Sequence, residues 1–436
     1  MTSWIIPFLQ ARSARMKAFF GLILVAAVCG ICSAELGYFW HLSDTHMQSD
    51  YKVGSNPEKG CYEGKGSAGK FGDYKCRAPF QIEDTAMMTI PTLRPDVCKD
   101  KNPLFVIWTG DAGAKRYGKF SEDYIKWEIK NLTHELVKLK KALGGNVNIY
   151  PCLGNHDSYP QHQFTATDYW VYHTVEEEWG QFLPVDARKT LKAHGYYAVT
   201  PVKGLRLIVL NTVIYFHDNN KISPSTKDPG GQLAWLRGEL KKAAENNQSV
   251  FIASHCPPGH TSVPMHKEFI KPFLDSMKGY HHIIKGSFWG HLHEDKFMLF
   301  GNTSSSDFHA GHLVSTLGPN TNKQPSFRRY IFDSSKGYEV EDWSTYYMDL
   351  AHANKVGKIE WKHLYSAKSA YGIPDASAKS LHELAKQMQK DDATFKKVYS
   401  HVKGGYPMGS CEGSCKKHFV CSVLHAYIDE YDKCIA

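Results

Sequence analysis

Short runs of continuous apolar residues recur along the chain, each broken by a polar turn that contains glycine or asparagine. The runs are Gly37–Leu42, Pro103–Trp108, Val147–Tyr150, Leu205–Leu210, Ser249–Ala253 and Ile283–Ile284. Continuous rather than alternating apolarity predicts strands buried on both faces. Between them, Tyr124–Leu143 and Gly231–Asn246 carry apolar residues at helical spacing. Strand–helix alternation of this kind predicts an α/β layered sandwich. Residues 54–79, rich in glycine and lysine and holding Cys61 and Cys76, read as an exposed excursion. From about Ala351 the strand pattern fades. Helical stretches follow, including Ser377–Lys390, and then a cysteine cluster. The expected organisation is a leader at 1–34, a main unit at 35–350 and a small helical subdomain at 351–436. No 20–50-residue period suggests a repeat architecture.

Composition narrows this little further. With 436 residues, 42% hydrophobic and 22% charged, the chain is neither disordered, collagen-like nor a multispan membrane protein. The first 34 residues combine a basic start (Arg12, Arg15, Lys17), the apolar run Ala18–Val28 and a small-residue exit at Ser33-Ala34. That is the pattern of a secretory signal, with a retained anchor as the other reading. Three of the +8 formal charges lie in that leader. The remainder reads as solvated helix faces, so no stable nucleic-acid partner is expected. Nine cysteines lie beyond the leader, four of them in the last 26 residues. An oxidising, secreted or lysosomal setting with disulfides is expected, zinc binding by the terminal cluster being the competing reading. An odd number leaves at least one thiol free or paired between chains. Three sequons, at Asn131, Asn247 and Asn302, fit a glycoprotein.

The chemistry lies in five short segments, four of them directly after predicted strands. They are Asp44-Thr-His46, Gly110-Asp111, Gly154-Asn-His-Asp157, His255 and Gly290-His-Leu-His293. Ligands of α/β sheets gather at the carboxyl ends of strands, so separate turns can converge on one pocket. Each piece alone is common: Gly-Asp suits any turn, and a lone buried histidine is usually a core residue. Together they supply what a two-cation site needs, a carboxylate to bridge, imidazoles and a neutral amide. Such a site holds a phosphoryl group and attacks it with a bridging hydroxide.

In this order, the segments resemble those of the calcineurin-like metallophosphoesterases. More narrowly, the chain is similar to the acid sphingomyelinase-like phosphodiesterases. Ser254-His-Cys-Pro-Pro-Gly-His260, Phe288-Trp-Gly-His-Leu-His-Glu-Asp295, Asp228-Pro-Gly-Gly-Gln-Leu-Ala-Trp-Leu236, Pro325-Ser-Phe-Arg328 and the terminal cysteine spacing carry that likeness. It runs from about residue 38 to 434. The resemblance implies a four-layer metallophosphoesterase-type β-sandwich flanked by helices, with a small helical disulfide-bonded C-terminal subdomain. It implies two divalent metal ions, usually zinc. Asp44, His46, Asp111 and His293 would hold one and Asp111, Asn155, His255 and His291 the other, with Asp111 bridging. His156 would stand beside the phosphate as a catalytic group, the alternative being a partner that orients a ligand. The family pattern also implies disulfides Cys61–Cys76, Cys411–Cys415 and Cys421–Cys434, leaving Cys98, Cys152 and Cys256.

Two departures stand out. Lys115 occupies the place of a family histidine four residues past Asp111, either as a phosphate-binding cation or as an ordinary loop residue. A lipid-presenting six-cysteine module has no room between leader and Trp40. Phosphodiester or phosphoanhydride hydrolysis by a secreted or lysosomal monomer is therefore the expected function. A nucleotide or other small phosphodiester is the expected substrate, a phospholipid head group with transient membrane contact the further candidate. True sphingomyelin hydrolysis releasing phosphocholine is one alternative, and a non-catalytic metal-binding scaffold another. A purple-acid-type phosphomonoesterase ranks low, because Ala114 stands where its tyrosine ligand would be and Tyr117 lies too far on.

Overall fold

The computed structural model describes residues 35–113 and 120–436. The predicted leader and Lys115, with Ala114 and Tyr117, lie outside the described residues. Twelve strands among them form two six-stranded sheets. The strands are β1 (Leu36–Leu42), β2 (Phe105–Trp108), β3 (Asn148–Pro151), β4 (Tyr197–Val202), β5 (Leu205–Val209), β6 (Ser249–Ser254), β7 (Ile284–Trp289), β8 (Lys296–Asn302), β9 (Asp307–Leu313), β10 (Ser326–Asp333), β11 (Glu339–Met348) and β12 (Trp361–Ser366). The first sheet runs β12-β11-β10-β1-β2-β3 and the second β4-β5-β6-β7-β9-β8.

In the first sheet β1, β2 and β3 are parallel, and in the second β5, β6, β7 and β9 are. All of these except β9 are among the continuous apolar runs, because both of their faces are covered. The sheets pack on each other through aromatic rings. Phe39 of β1 lies 4.9 Å from Phe105 and 5.0 Å from Tyr330 in its own sheet, and 5.6 Å from Phe251 and 5.0 Å from Phe288 across the gap. Helices cover the outer faces, so the fold is the four-layer α/β sandwich expected. The helix Glu122–Ala142 shows why one forms: Ser121 caps its start by accepting from the Tyr124 amide. Its acidic residues stand in the first turn and Lys140 and Lys141 in the last, matched to the helix dipole. Ile125, Ile129, Leu132, Leu136 and Leu139 form its buried stripe.

Two features differ from the sequence reading. β12 lies within the segment read as helical and pairs antiparallel with β11, so residues 351–436 are not all-helical. Only Tyr365 of its six residues is fully buried, and a strand whose other positions are half-buried or exposed leaves no continuous apolar run to detect. The 54–79 excursion is also less exposed than its composition suggests. Cys61, Ala68 and Cys76 form a small core of their own, and Phe71 joins Ala78, Ile82 and Met348 in another. Disulfides join Cys61 to Cys76, Cys411 to Cys415 and Cys421 to Cys434. That is the pairing implied by the family resemblance, and it removes thiolates from any zinc site at the C-terminus. Cys98, Cys152 and Cys256 are buried. Among the described residues no helix is long and apolar enough to cross a membrane.

Candidate metal centre

The five segments converge. Asp44 and His46 follow β1, Asp111 follows β2, Asn155 and His156 follow β3, His255 follows β6 and His291 and His293 follow β7. One sheet thus supplies the first three segments and the other sheet the last two. Glycine makes the close approach possible. A β-carbon at Gly154 would collide with the amide and carboxylate of Asp111, and one at Gly110 with the Gly154 backbone. The backbone is bent to aim the side chains inward. Asp44 (φ 53°), His46 (46°), Asp111 (60°), His291 (70°) and His293 (55°) all adopt the left-handed conformation. Each costs of order 1–3 kcal/mol, and such strain gathers at functional sites.

Asp111 stands at the middle. Its Oδ2 lies 3.4 Å from His46 Nε2 and 3.3 Å from His255 Nε2, so it faces both halves of the cluster. On one side His293 Nε2 lies 3.1 Å from Asp44 Oδ1 and 2.9 Å from His46 Nε2. On the other, His255 Nε2 lies 2.9 Å from Asn155 Oδ1 and 3.2 Å from His291 Nδ1. The outward ring atoms are held. His255 Nδ1 donates to the Thr109 carbonyl at 2.6 Å, and His291 Nε2 to the Val263 carbonyl at 2.9 Å. Each ring thereby turns its other nitrogen inward, the orientation that metal-ligating histidines take.

Burial is the largest influence on every ionisable group here, and it opposes charge. For Asp44 and Asp111 it is outweighed by the surrounding imidazoles, which hold both carboxyls well below their ordinary range. His255 is pushed up to about 9 by Asp111 and Asp44 in spite of its burial. His291 and His293 fall to about 3 and about 4, so they stay neutral. Two buried carboxylates ringed by imidazole nitrogens and one amide oxygen form a donor set that fits borderline divalent cations. The ligand atoms of Asp44, His46, Asp111 and His293 all lie within 4.8 Å of one another. Cys256 comes within the same range of His255 and His291. Burial and the nearby carboxylates push its thiol up, so it remains protonated.

His156 is brought to the cluster, with Nε2 3.9 Å from Asp111 Oδ2 and its ring 4.8 Å from that of His46. Gln161 Nε2 meets its Nδ1. Sequence reasoning left several supporting residues without a role. Asp157 accepts from the backbone N–H groups of Asp111 (3.2 Å), Ala112 (2.9 Å) and Gly154 (2.7 Å), locking two ligand loops together. Its place after His156 was the visible signal. Ser43 donates to Asp44 Oδ2. Thr316 donates to the Asp44 carbonyl at 2.6 Å. Nothing in the sequence marks Thr316.

Comparison with known proteins agrees with this geometry. A family model described as calcineurin-like phosphoesterase matches residues 37–295, and one described as acid sphingomyelin phosphodiesterase C-terminal region matches 305–436. The chain is 28% identical over 438 residues to acid sphingomyelinase-like phosphodiesterase 3b of Homo sapiens, covering 95% of this chain and 93% of that protein. It is 30% identical over 434 residues to a cyclic GMP-AMP phosphodiesterase of Bos taurus, with 95% and 94% covered. It is also 30% identical over 424 residues to sphingomyelinase phosphodiesterase C of Dictyostelium discoideum, with 92% of each covered.

Proposed function

The chain belongs to the calcineurin-like phosphoesterase family, with an acid sphingomyelin phosphodiesterase C-terminal region, and from that premise we propose that it is a secreted or lysosomal dinuclear-metal phosphodiesterase. Its substrates in this reading are small phosphodiesters or phosphoanhydrides. The observation that carries it is the position of Asp111 Oδ2, equidistant to within 0.1 Å from an imidazole of each half-site (3.4 and 3.3 Å). Asp44, His46, Asp111 and His293 would hold one cation, and Asp111, Asn155, His255 and His291 the other, with zinc the proposed metal. When bound, such a pair supplies Lewis-acid polarisation of the phosphoryl group and a water acidified to near-neutral pKa.

The remaining work falls to side chains. An amide N–H donates, so Gln161 makes Nδ1 of His156 the acceptor and leaves the ring proton on Nε2, the atom facing Asp111. Burial, its largest influence, holds His156 well below the usual imidazole range. It therefore meets the substrate as a neutral N–H donor, able to bind a phosphoryl oxygen or to stabilise charge on the leaving oxygen through a hydrogen bond. Asp157 holds the Asp111 and Asn155 loops at fixed separation, which keeps the donor atoms preorganised. The names of the relatives support diester substrates, one being named for cyclic GMP-AMP and another for sphingomyelin. Three disulfides support an oxidising compartment.

The test is metal analysis joined to turnover of bis(p-nitrophenyl) phosphate. Wild type is expected to carry two ions per chain and to lose activity to chelator. Asp111→Asn is expected to retain at most one ion and to lose at least about 10³ in kcat/KM, several kcal/mol of transition-state stabilisation. Full activity with one ion, or with none, would refute the dinuclear reading.

A further inference from the structure

A second charged cavity adjoins the metal centre. It has a volume of about 300 Å³ and is lined by Glu294, Thr321, Lys323, Tyr399, Lys403 and Phe419, among others. Lys323 Nζ donates to the carbonyl of Leu292 at 3.0 Å, and Leu292 lies between the ligand histidines 291 and 293. Its ammonium has two further N–H groups to offer. The one carboxylate in the cavity is already answered: Lys296 pairs with Glu294 at 2.7 Å. Among the described residues no salt bridge joins a carboxylate to Lys323 or Lys403, and with Glu294 facing both Lys296 and Lys323 the cavity keeps a net positive charge.

The segments that carry the two lysines are tied together. The Gln324 amide donates to the Lys403 carbonyl at 3.1 Å, joining their segments side by side. The Asp295 amide donates to the Val402 carbonyl at 2.8 Å, tying the second segment to the loop that follows His293. Thr321 and Asn322 adopt left-handed backbone (φ 63° and 57°) where the chain turns to present Lys323.

We propose that Lys323 and Lys403 form a subsite for a second anionic group, a phosphate carried by the substrate beyond the scissile one. The subsite rests on the phosphodiesterase reading above and narrows it. A substrate with an adjoining phosphate is favoured, and one whose far end is a quaternary ammonium is repelled by the same charges. The chemistry recognised is phosphate, which a soluble substrate or an anionic lipid head group could each supply. A cavity bounded on the inside by the ligand loop favours the soluble source.

The experiment compares ATP, which carries further phosphates, with bis(p-nitrophenyl) phosphate, which carries none, using the metal-loaded mature chain. For Lys403→Glu and for Lys323→Met/Lys403→Glu, KM for ATP is expected to rise about tenfold more than KM for the diester, the loss of a charge-assisted contact. The same rise on both substrates, or on neither, overturns the subsite. Lys403→Arg, which keeps the charge, is expected to restore most of the preference. Wild type inactive on both substrates would refute the phosphodiesterase reading itself. The subsite is then judged by calorimetric binding of inorganic pyrophosphate, expected to weaken about tenfold in the double variant; equal binding overturns it. Sedimentation with phosphatidylserine vesicles separates the sources. Vesicle binding lost in Lys403→Glu with the ATP preference intact would overturn the soluble assignment in favour of a lipid surface.

Discussion

His156 and Asp157 are adjacent, and their roles separate cleanly. In the proposed mechanism His156 presents an N–H to the reacting group, so His156→Asn is expected to keep the metal content of wild type. Its kcat should fall by about 10²–10⁴, the usual share of a positioned acid–base group. Loss of metal in that variant would assign His156 to holding the site together instead. Asp157 touches only backbone amides of the ligand loops. Asp157→Asn puts an N–H against one of those donors, and metal affinity measured by chelator competition should drop about 10–100-fold. Choice of replacement matters at the ligands themselves. Because Asp44, His46, Asp111, His291 and His293 lie at positive φ, asparagine suits their backbone and alanine does not. Alanine there would mix backbone strain with the loss of a ligand.

The helix Phe80–Thr89 packs on Glu122–Ala142 and carries a buried acid, Glu83, facing Glu135 and Lys138, with Asp84 beside it. One oxygen of Glu83 and one of Glu135 lack a hydrogen-bond partner. Burial first, then Glu135 and Asp84, push Glu83 up to about 8. The folded state therefore binds a proton that the unfolded chain releases near its ordinary carboxyl range. Stability from this group is full at acid pH and is lost as pH rises towards 8. Glu83→Gln is expected to match wild type in thermal unfolding at pH 4.5 and to exceed it at pH 8 by at least about 2 °C. Equal Tm values at pH 8 would show that the carboxyl is not desolvated.

At the same scale, legibility tracked burial. β1, β2, β3, β5, β6 and β7 were visible because both faces are covered, although β7 was glimpsed only at its first residue. β4 and β8 to β12 were missed, β8 even though it is buried and carries the apolar run Phe297–Phe300. Strands such as β11 and β12 mix buried and exposed positions and carry His, Lys, Asp and Glu, so no apolar run announces them. The candidate ligand residues were legible because four of their five segments stand in a short turn just after a readable strand. Thr316 and Val263 act through a backbone carbonyl or a hydroxyl at long sequence separation, and no local pattern encodes that. Lys115 was legible as a departure from the family, and its surroundings lie outside the described residues.

For the molecule as a whole, covalent closure carries stability that the core does not show. Cys61 and Cys76 are 15 residues apart, and joining ends at that spacing restricts the unfolded chain by about 3 kcal/mol. Cys61→Ser/Cys76→Ser should lower the urea midpoint accordingly, and dithiothreitol should bring wild type towards the same value. A midpoint unchanged by both would place the excursion outside the cooperative unit. The second family region begins at residue 305, so it takes in β9 to β12 as well as the terminal helices. The two regions thus share both sheets rather than standing apart. The centre inherits that sharing, since Asp44, His46, Asp111 and Asn155 come from one sheet and His255, His291 and His293 from the other. Ions seated there would fasten the sheets together, and saturating metal at 100 times its Kd would add about 2.7 kcal/mol per site. Only a chain with both sheets already docked can offer either half-site complete. Ion stoichiometry would therefore double as an assay of assembly, sorting correctly built molecules from compact misfolded ones in a purified preparation before any substrate is added.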